Sequence, residues 1–412
     1  MDDRRAGSGA PPRRLRIMVC PHELVTGGSQ INAIDLASRL QGLGHDVEVF
    51  APRGPLVARI AALGLPYRPA PPRRGEHDTA TVRAFVKEMR RFRPDIVHTY
   101  ESPPTISAAI AGAVRPYRGV VTVMSMSVPD YIPEHIPLLV GTGELAAPLE
   151  GRIGGVHLME PPIDTDHDQP GDTASARAAL GIELDAFVVS VVGRLSAEHH
   201  KARGIADAID RLTALPLAVP VIVLVAGDGD EADVVRAAAE RANAGGVVTV
   251  RMEGNVADPR GIYDAADVVF GMGGSALRAM AHGKPLIVQG REGFWQLLSP
   301  ASVDRFFLQG YFGIGPSGGP AFDDLVRELA ADPGLRRELG RFGRSLVVER
   351  YSLDAATRQL ESIYLDEVDV DRGWAQRAGS LARSYGRYAR FRLAVAAPGL
   401  RRSYRALVRR ND

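Results

Sequence analysis

The chain moves between two rhythms of apolar and polar residues. Compact apolar-rich runs at Leu15–Cys20, Asp46–Ala51, Pro94–Tyr100, Gly119–Met124, Ala186–Val192, Val221–Ala226, Val247–Met252 and Val268–Phe270 have the character of strands buried on both faces of a parallel sheet. Between them, apolar positions recur at three- and four-residue spacing, which predicts helices. Ile31, Ile34, Ala37 and Leu40 mark one that begins near Ser29, and others cover Thr79–Phe92, Pro104–Val114, Ala232–Ala242, Phe322–Ala331, Leu335–Val348 and Ser352–Leu365. Strands and helices taking turns in this way predict an α/β chain of doubly wound parallel sheets. The alternation comes in two sets, residues 15–160 and 161–348. Val156–Pro170, with Pro161, Pro162 and the acidic Asp164 and Asp166, reads as the linker between them. Residues 349–370 read as a closing amphipathic helix, 371–412 as a basic tail and 1–14 as a polar, disordered start.

Candidate chemistry lies where strands run into glycine turns. From Ala266 to Val288 the order is strand, glycine turn, helix, tight turn, strand. Gly271, Gly273 and Gly274 allow a sharp turn and the close approach of a ligand. Ser275 reads as the N-cap of the helix, and Gly283 with Pro285 as its stop. The amino end of such a helix offers unpaired N–H groups to a phosphate, while a plain βαβ turn would use the same glycines for geometry alone. In the first set, Gly27 and Gly28 stand at the carboxyl end of the first strand, where open α/β sheets hold their ligands. The spacing is not G-x-G-x-x-G, so a dinucleotide is not indicated. Arg194 and Lys201 flank the loop after the Ala186–Val192 strand, where two cations could clamp a diphosphate or simply lie solvated. His98, near the end of its strand, is a catalytic candidate by position, although a lone histidine there is more often structural. His199 and His200 lack a third ligand at metal spacing and read as surface.

Composition narrows the class. The 412 residues are 45% hydrophobic and 24% charged, as in soluble globular proteins of two domains. One cysteine, Cys20, excludes a disulfide within the chain and fits a reducing compartment. Met1–Arg14 lacks the apolar core of a signal peptide, and no run approaches the ~18 apolar residues of a membrane span, so a cytoplasmic location is expected. The net charge of +1 hides an asymmetry: residues 371–412 hold eleven arginines and two aspartates, a net +9, which leaves −8 for the rest. Trp374, Ala378, Leu381, Tyr385 and Tyr388 recur at helical spacing among those arginines, prolonged by Phe391–Val395. That pattern suits a basic amphipathic helix on an anionic membrane surface, on the inner face of the cell membrane; the alternative is a helix packed on the body with its arginines in water. Nucleic acid is not indicated, because the body is acidic and lacks an aromatic–basic platform.

Taken together, Thr26-Gly27-Gly28-Ser29, Leu43-Gly44-His45-Asp46-Val47, Arg93-Pro94-Asp95-Ile96-Val97-His98, Val192-Gly193-Arg194-Leu195, Ala226-Gly227-Asp228-Gly229, Tyr263–Val268, Ala279–Pro285 and Glu349-Arg350-Tyr351-Ser352 resemble the glycosyltransferases of family four. The order and spacing run from about residue 15 to 365. The resemblance implies a GT-B fold: two Rossmann-like domains facing across a cleft, the first for the acceptor and the second for the nucleotide-sugar donor, with a helix crossing back onto the first. It implies a retaining transferase that takes a nucleotide sugar as substrate, with no cofactor and no metal. In its terms, Arg194 and Lys201 hold the donor diphosphate, Gly27 and Gly28 lie near the donor phosphates and the acceptor, and Gly273, Gly274 and Ser275 meet the donor.

The chain departs from the family at marked places. The family carries two glutamates eight positions apart; here the second position is Arg278 and the first falls near Phe270. A guanidinium cannot accept the ribose hydroxyls that the second glutamate takes. Arg278 is then a candidate phosphate contact, and Glu292 a candidate hydroxyl acceptor. The family histidine after the strand near Val123 is absent, with Met124 in its neighbourhood, and Arg194 to Lys201 is two residues longer than usual. Two readings follow. One is a glycosyltransferase acting on a polysaccharide, glycolipid or other acceptor at the membrane. The other is a GT-B-shaped binding or assembly subunit without transfer activity.

Overall fold

The computed structural model describes residues 13–72, 78–197 and 200–396. Expectations for residues 1–12, for His199 and for the tail beyond 396 lie outside the described residues.

By its internal packing the chain forms two units. Among the described residues, the first holds 13–141, Leu145–Leu158 and 357–396; the second holds Thr142–Glu144 and 159–356. In the first unit, β1 (Arg16–Cys20), β2 (Asp46–Pro52), β3 (Tyr67–Ala70), β4 (Ile96–Tyr100), β5 (Gly119–Val123), β6 (Leu138–Val140) and β7 (Val156–Leu158) make one sheet in the order 3-2-1-4-5-6-7. All its pairings are parallel. The second unit has β8 (Phe187–Val192), β9 (Val221–Ala226), β10 (Val248–Gly254), β11 (Val268–Gly271), β12 (Leu286–Gln289) and β13 (Trp295–Leu297), in the order 10-9-8-11-12-13. Only β13 runs antiparallel, against β12. Both are doubly wound sheets, and each reverses its winding next to its first strand: between β1 and β4, and between β8 and β11. A ligand crevice opens at such a reversal, outside the carboxyl ends of the strands.

The apolar runs became central strands because both faces are covered. Ile17, Met18, Val97 and Val121 in the first sheet, and Val188, Val189, Leu224 and Val268 in the second, are almost wholly buried. The second core is keyed by Phe270, Trp295 and Phe322, whose ring centroids lie 5.0–5.5 Å apart.

One sequence expectation fails here. Val156–Leu158 is not linker: it hydrogen-bonds in register to β6, Leu138 opposite Val156, and completes the first sheet as a seventh strand. Three residues were too few to show a periodicity. The rest of the predicted linker, from Met159, belongs to the second unit, where Arg344 donates to the carbonyls of Thr165, Asp168 and Ala281.

The helix Leu353–Asp369 reaches the first unit from Thr357 onward. Its Tyr364 hydroxyl lies 2.5 Å from His98 Nδ1, and its Glu361 lies 3.0 Å from His45 Nε2. His45 Nδ1 accepts the Leu15 N–H, so Nε2 is the nitrogen that donates to Glu361. The helix Trp374–Ala396 follows, in the same unit. No described helix is long and apolar enough to cross a membrane.

Candidate functional site

The second sheet gathers its cations and glycines along one edge. β8 ends in Gly193 and Arg194, β9 in Gly227–Gly229, and β11 in Gly271 and the turn to Gly274. Register puts Val191 beside Phe270 and Gly271 beside Val288, so the loops after β8, β11 and β12 are neighbours. Close backbone contact fixes them. Leu195 N–H donates to Asp228 O at 3.0 Å, and Glu231 N–H to Leu195 O at 3.0 Å. Gly227 has φ 153°, a region that side chains avoid, and a Cβ there would overlap the carbonyl of Gly193. Glycine at 227 is therefore a condition of the loop carrying Arg194.

Lys201 opens the helix Lys201–Ala214 and brings its ammonium back over the β8 turn, 2.5 Å from where a Cβ on Gly193 would stand. Gln289, at the end of β12, donates to Lys201 O at 2.8 Å and ties this helix to the far side of the edge. Arg194 is exposed on the loop between. The two cations predicted from sequence thus belong to one strand end, as a clamp requires. The added residues lie in the loop before a helix that starts at Lys201 itself, so the longer spacing leaves the lysine on the edge. His200 is exposed, with φ 55°, as the residue before that helix.

The turn after β11 differs from prediction in one detail. Gly273, not Ser275, is the N-cap of the helix Gly274–Ala281; it has φ 56°, and its N–H donates to Tyr311 O at 2.8 Å. Ser275 lies inside the first turn. Its hydroxyl accepts from Met272 N–H and donates to Met272 O, closing the turn on itself. The backbone enters this helix through a positive φ, and that conformation with the close approach of Phe312 leaves room at 273 only for glycine. Ala276 N–H is the first to bond back to Gly273, so the amides of Gly274 and Ser275 stand ahead of the helical ladder, as a phosphate site requires.

Arg278 lies one turn on, its Nη1 3.6 Å from where a Cβ on Gly274 would be. Its Nε is 3.5 Å from Asp168, a buried carboxylate from the segment after Met159. His282 sits beneath, with no exposed side-chain surface, 2.7 Å from Asp264 and 3.7 Å from Asp168. Burial alone would lower its pKa, but the two carboxylates outweigh burial and raise it. Asp168 is held below the usual carboxylate range: burial pushes it up, and His282 and Arg278 more than reverse that. Glu292 is exposed in the turn after β12, with φ 56°.

In the first unit the carboxyl edge carries an acid instead. Gly27 precedes the helix Gly28–Gly42, and Gln30 folds back over it to reach His22 and Glu23, at 3.2 and 3.0 Å. Nothing lies within 4 Å of a Cβ built on Gly28. Glu101, directly after β4, was not singled out by sequence. It has φ 68° and ψ 172°, a conformation close to glycine-only, which costs on the order of 1–3 kcal/mol. Its carboxylate accepts from Met124 N–H at 2.9 Å and Ser125 Oγ at 2.8 Å, with Ser29 Oγ at 3.5 Å. Glu101 thus joins the glycine loop to the end of β5, where the family histidine is missing. An acid one residue past a strand and just before Ser-Pro-Pro was the sequence signal for it.

His98 does not belong to this edge. It is wholly buried, its Nε2 is 2.7 Å from Thr122 Oγ1 and its Nδ1 faces Tyr364. Burial lowers its pKa to about 3, so the ring is neutral. In place of the catalytic role expected by position, it fastens β4 to β5 and to the Leu353–Asp369 helix. Residues distant in sequence, Thr122 and Tyr364, cover it, which position along its own strand does not reveal.

Comparison with known proteins agrees with this geometry. Residues 26–132 match the Glycosyltransferase Family 4 model, and residues 186–305 match Glycosyl transferases group 1, one match in each unit. The chain is 30% identical over 222 residues to a D-inositol 3-phosphate glycosyltransferase of Kribbella flavida, covering 50% of each. It spans about half the length of the curated relatives it matches. A glycosyltransferase from Rickettsia africae superposes with a TM-score of 0.70 at 13% identity, over 87% of this chain and 100% of that one. HepE from Anabaena, in complex with UDP and glucose, gives 0.67 at 16% identity, over 86% and 100%. With a glycosyltransferase family model matched in each unit and a fold shared with known glycosyltransferases over most of its length, the chain carries both halves of a GT-B architecture and is similar to the glycosyltransferases of the family-four type.

Proposed function

We propose that the protein moves a hexosyl group from a nucleotide sugar to a hydroxyl of a carbohydrate or lipid-linked acceptor, with retention at the anomeric carbon. The observation that carries this reading is the edge of the second sheet, where Arg194, Lys201 and the amides of Gly274 and Ser275 border one strand reversal. In the transfer, the bond from the anomeric carbon to the diphosphate oxygen breaks and a bond to the acceptor oxygen forms. Negative charge grows on the leaving diphosphate, and fixed cations and amides placed there lower the barrier. Two side-chain cations supply the charge that a metal supplies elsewhere. Retention puts the new bond on the face the diphosphate leaves, so a diphosphate oxygen is the nearest base for the hydroxyl proton. Arg278 adds positive charge beside Gly274. Glu292, rather than a glutamate at 278, is the carboxylate available to donor hydroxyls.

UDP-glucose is the first donor to try, because HepE is in complex with UDP and glucose; D-inositol 3-phosphate is the first acceptor, from the name of the Kribbella relative. The acceptor reading includes work at the inner face of the cell membrane, with 371–412 toward anionic lipid. Calorimetry with UDP, ADP, GDP and their glucose conjugates tests the proposal. One nucleotide is expected to bind, and Arg194→Ala to cut turnover with it by about 10²-fold or more. Silence across the panel would overturn the transferase reading and leave a non-catalytic binding or assembly subunit.

A further inference from the structure

The helix Trp374–Ala396 is held on the first unit by one face. Ser384 donates to Tyr131 O, and the His135 N–H donates to Ser380 Oγ at 3.1 Å. Arg383 and Arg387 share Glu134 at 3.0 and 2.9 Å. Tyr388 and Phe391 pack on Tyr131, with centroids 5.3 and 5.1 Å apart. The docked face is therefore Ser380, Ser384, Tyr388 and Phe391. It takes Tyr388 and Phe391 from the apolar stripe read from the sequence and adds Ser380 and Ser384, which that stripe did not include.

Only part of that stripe, with Trp374 at its head, remains on the other side. At 3.6 residues per turn, Trp374, Ala378, Ala382, Tyr385, Ala389 and Leu393 fall on one side of the helix, turned away from Ser380 and Ser384. Trp374 is 83% exposed and Leu393 65%, at opposite ends of the stripe. A single exposed leucine is ordinary; a tryptophan and a leucine heading one continuous stripe are not. Arg390 and Arg392 lie beside it with no acidic partner among the described residues, Arg392 donating to the Tyr388 hydroxyl at 3.3 Å, whereas Arg383 and Arg387 are committed to Glu134. The segment from 371 on carries a net +9. Docking has thus used a polar-studded face to fix the helix and left outward a face with an interfacial aromatic, small residues and unmatched cations. A water-exposed surface has no use for the first of these, and an acidic protein partner does not need it.

We infer that this outward face, from Trp374 to Leu393, is a binding surface for an anionic lipid bilayer, lying flat with Trp374 and Leu393 in the headgroup region and Arg390 and Arg392 on lipid phosphates. It deepens the transferase reading, on which it rests only for the claim that the acceptor is lipid-borne. The helix stays folded against its own unit while it binds, so no part of the chain has to leave its core.

The test uses the full chain and vesicles of phosphatidylcholine with or without about one-third phosphatidylglycerol. Sedimentation is expected with the anionic vesicles only, weakening severalfold when salt is raised from 0.1 to 0.5 M. Trp295 is buried at 2% exposure and Trp374 is the chain's other tryptophan, so iodide quenching of emission reports Trp374 and should fall on binding. Arg390→Glu with Arg392→Glu is expected to lower partitioning about tenfold or more, and Trp374→Ala severalfold. The changes remove no residue of the buried face, and only the Arg392 bond to the Tyr388 hydroxyl at its rim is lost, so the melting temperature should move by no more than a degree or so, about the worth of one exposed hydrogen bond. Equal binding to neutral vesicles, no binding, or unaltered binding by the variants would each overturn the proposal. So would a dimer dissolved by Trp374→Ala in protein that ignores vesicles. Nucleotide calorimetry on the same preparation, without lipid, reports the transferase reading separately.

Discussion

The two sheets are wound alike, yet their carboxyl edges are chemically opposite. The edge of the second presents Arg194, Lys201, Arg278 and helix amides on loops locked by backbone contact. The edge of the first presents Glu101, Ser29, Ser125, Gln30 and Glu23, linked by side-chain hydrogen bonds. Cations with amides suit a diphosphate, whose charge is fixed and whose position must not drift. A carboxylate among hydroxyl groups suits the hydroxyls of a sugar, which need acceptors at angles that adapt. One fold serves both because the sheet supplies only the platform, and the residues just past each strand choose the ligand.

The rigidity of the second edge gives the largest effect after loss of Arg194. Gly227→Ala must both hold φ near 153° and clear the Gly193 carbonyl, so it is expected to destabilise by about 2–3 kcal/mol and to abolish nucleotide binding. Gly28→Ala is the control in the first unit. Its Cβ meets nothing and it begins a helix, so stability should stay level or rise by up to about 1 kcal/mol. Urea unfolding of both variants makes the comparison. Equal losses would mean that the first edge is as tightly locked as the second.

Much of this was legible in the sequence. The helices Thr79–Phe92 and Phe322–Ala331 and the strand Val221–Ala226 fall where apolar spacing puts them, because each buries one clear face or both. The paired cations and the glycine turns were legible as motifs. What the sequence hid was of three kinds. β7 is too short to carry a pattern. The docked face of the last helix is chosen by hydrogen bonds from Ser380 and Ser384, which apolar periodicity does not weigh. The roles of His98 and Glu101 depend on neighbours far along the chain, Tyr364 and Met124 among them.

Buried His98 in the first unit and buried His282 in the second have pKa values moved in opposite directions, and this sets opposite pH dependences. His98 is neutral, with a pKa near 3 against 6.5 when unfolded. Between those values the unfolded chain holds more protons, so the first unit loses stability as pH falls below 6.5. His282 has a raised pKa, so its contribution is full below 6.5 and is lost as pH rises through the folded value. Replacing His282 with Asn should cost about 2 kcal/mol at pH 6 and clearly less at pH 9. Melting curves of wild type and variant across that range check it. A gap that widened with pH would mean that the ring between Asp264 and Asp168 is neutral, and would remove the electrostatic support assigned to the helix behind Gly274.

The smallest effect sharpens the comparison most, because it separates the two edges by ligand. Glu101→Gln keeps the shape of the side chain but trades one acceptor oxygen for a donor NH2, facing the Met124 N–H or the Ser125 hydroxyl. If the first edge serves the acceptor, transfer to it should fall by about tenfold, one charged hydrogen bond's worth, while nucleotide affinity stays within experimental error. The strain at φ 68° survives the change, so stability should move little. Weaker nucleotide binding with unchanged acceptor kinetics would invert the assignment: the acid would then hold donor hydroxyls, taking the part that Arg278 cannot play.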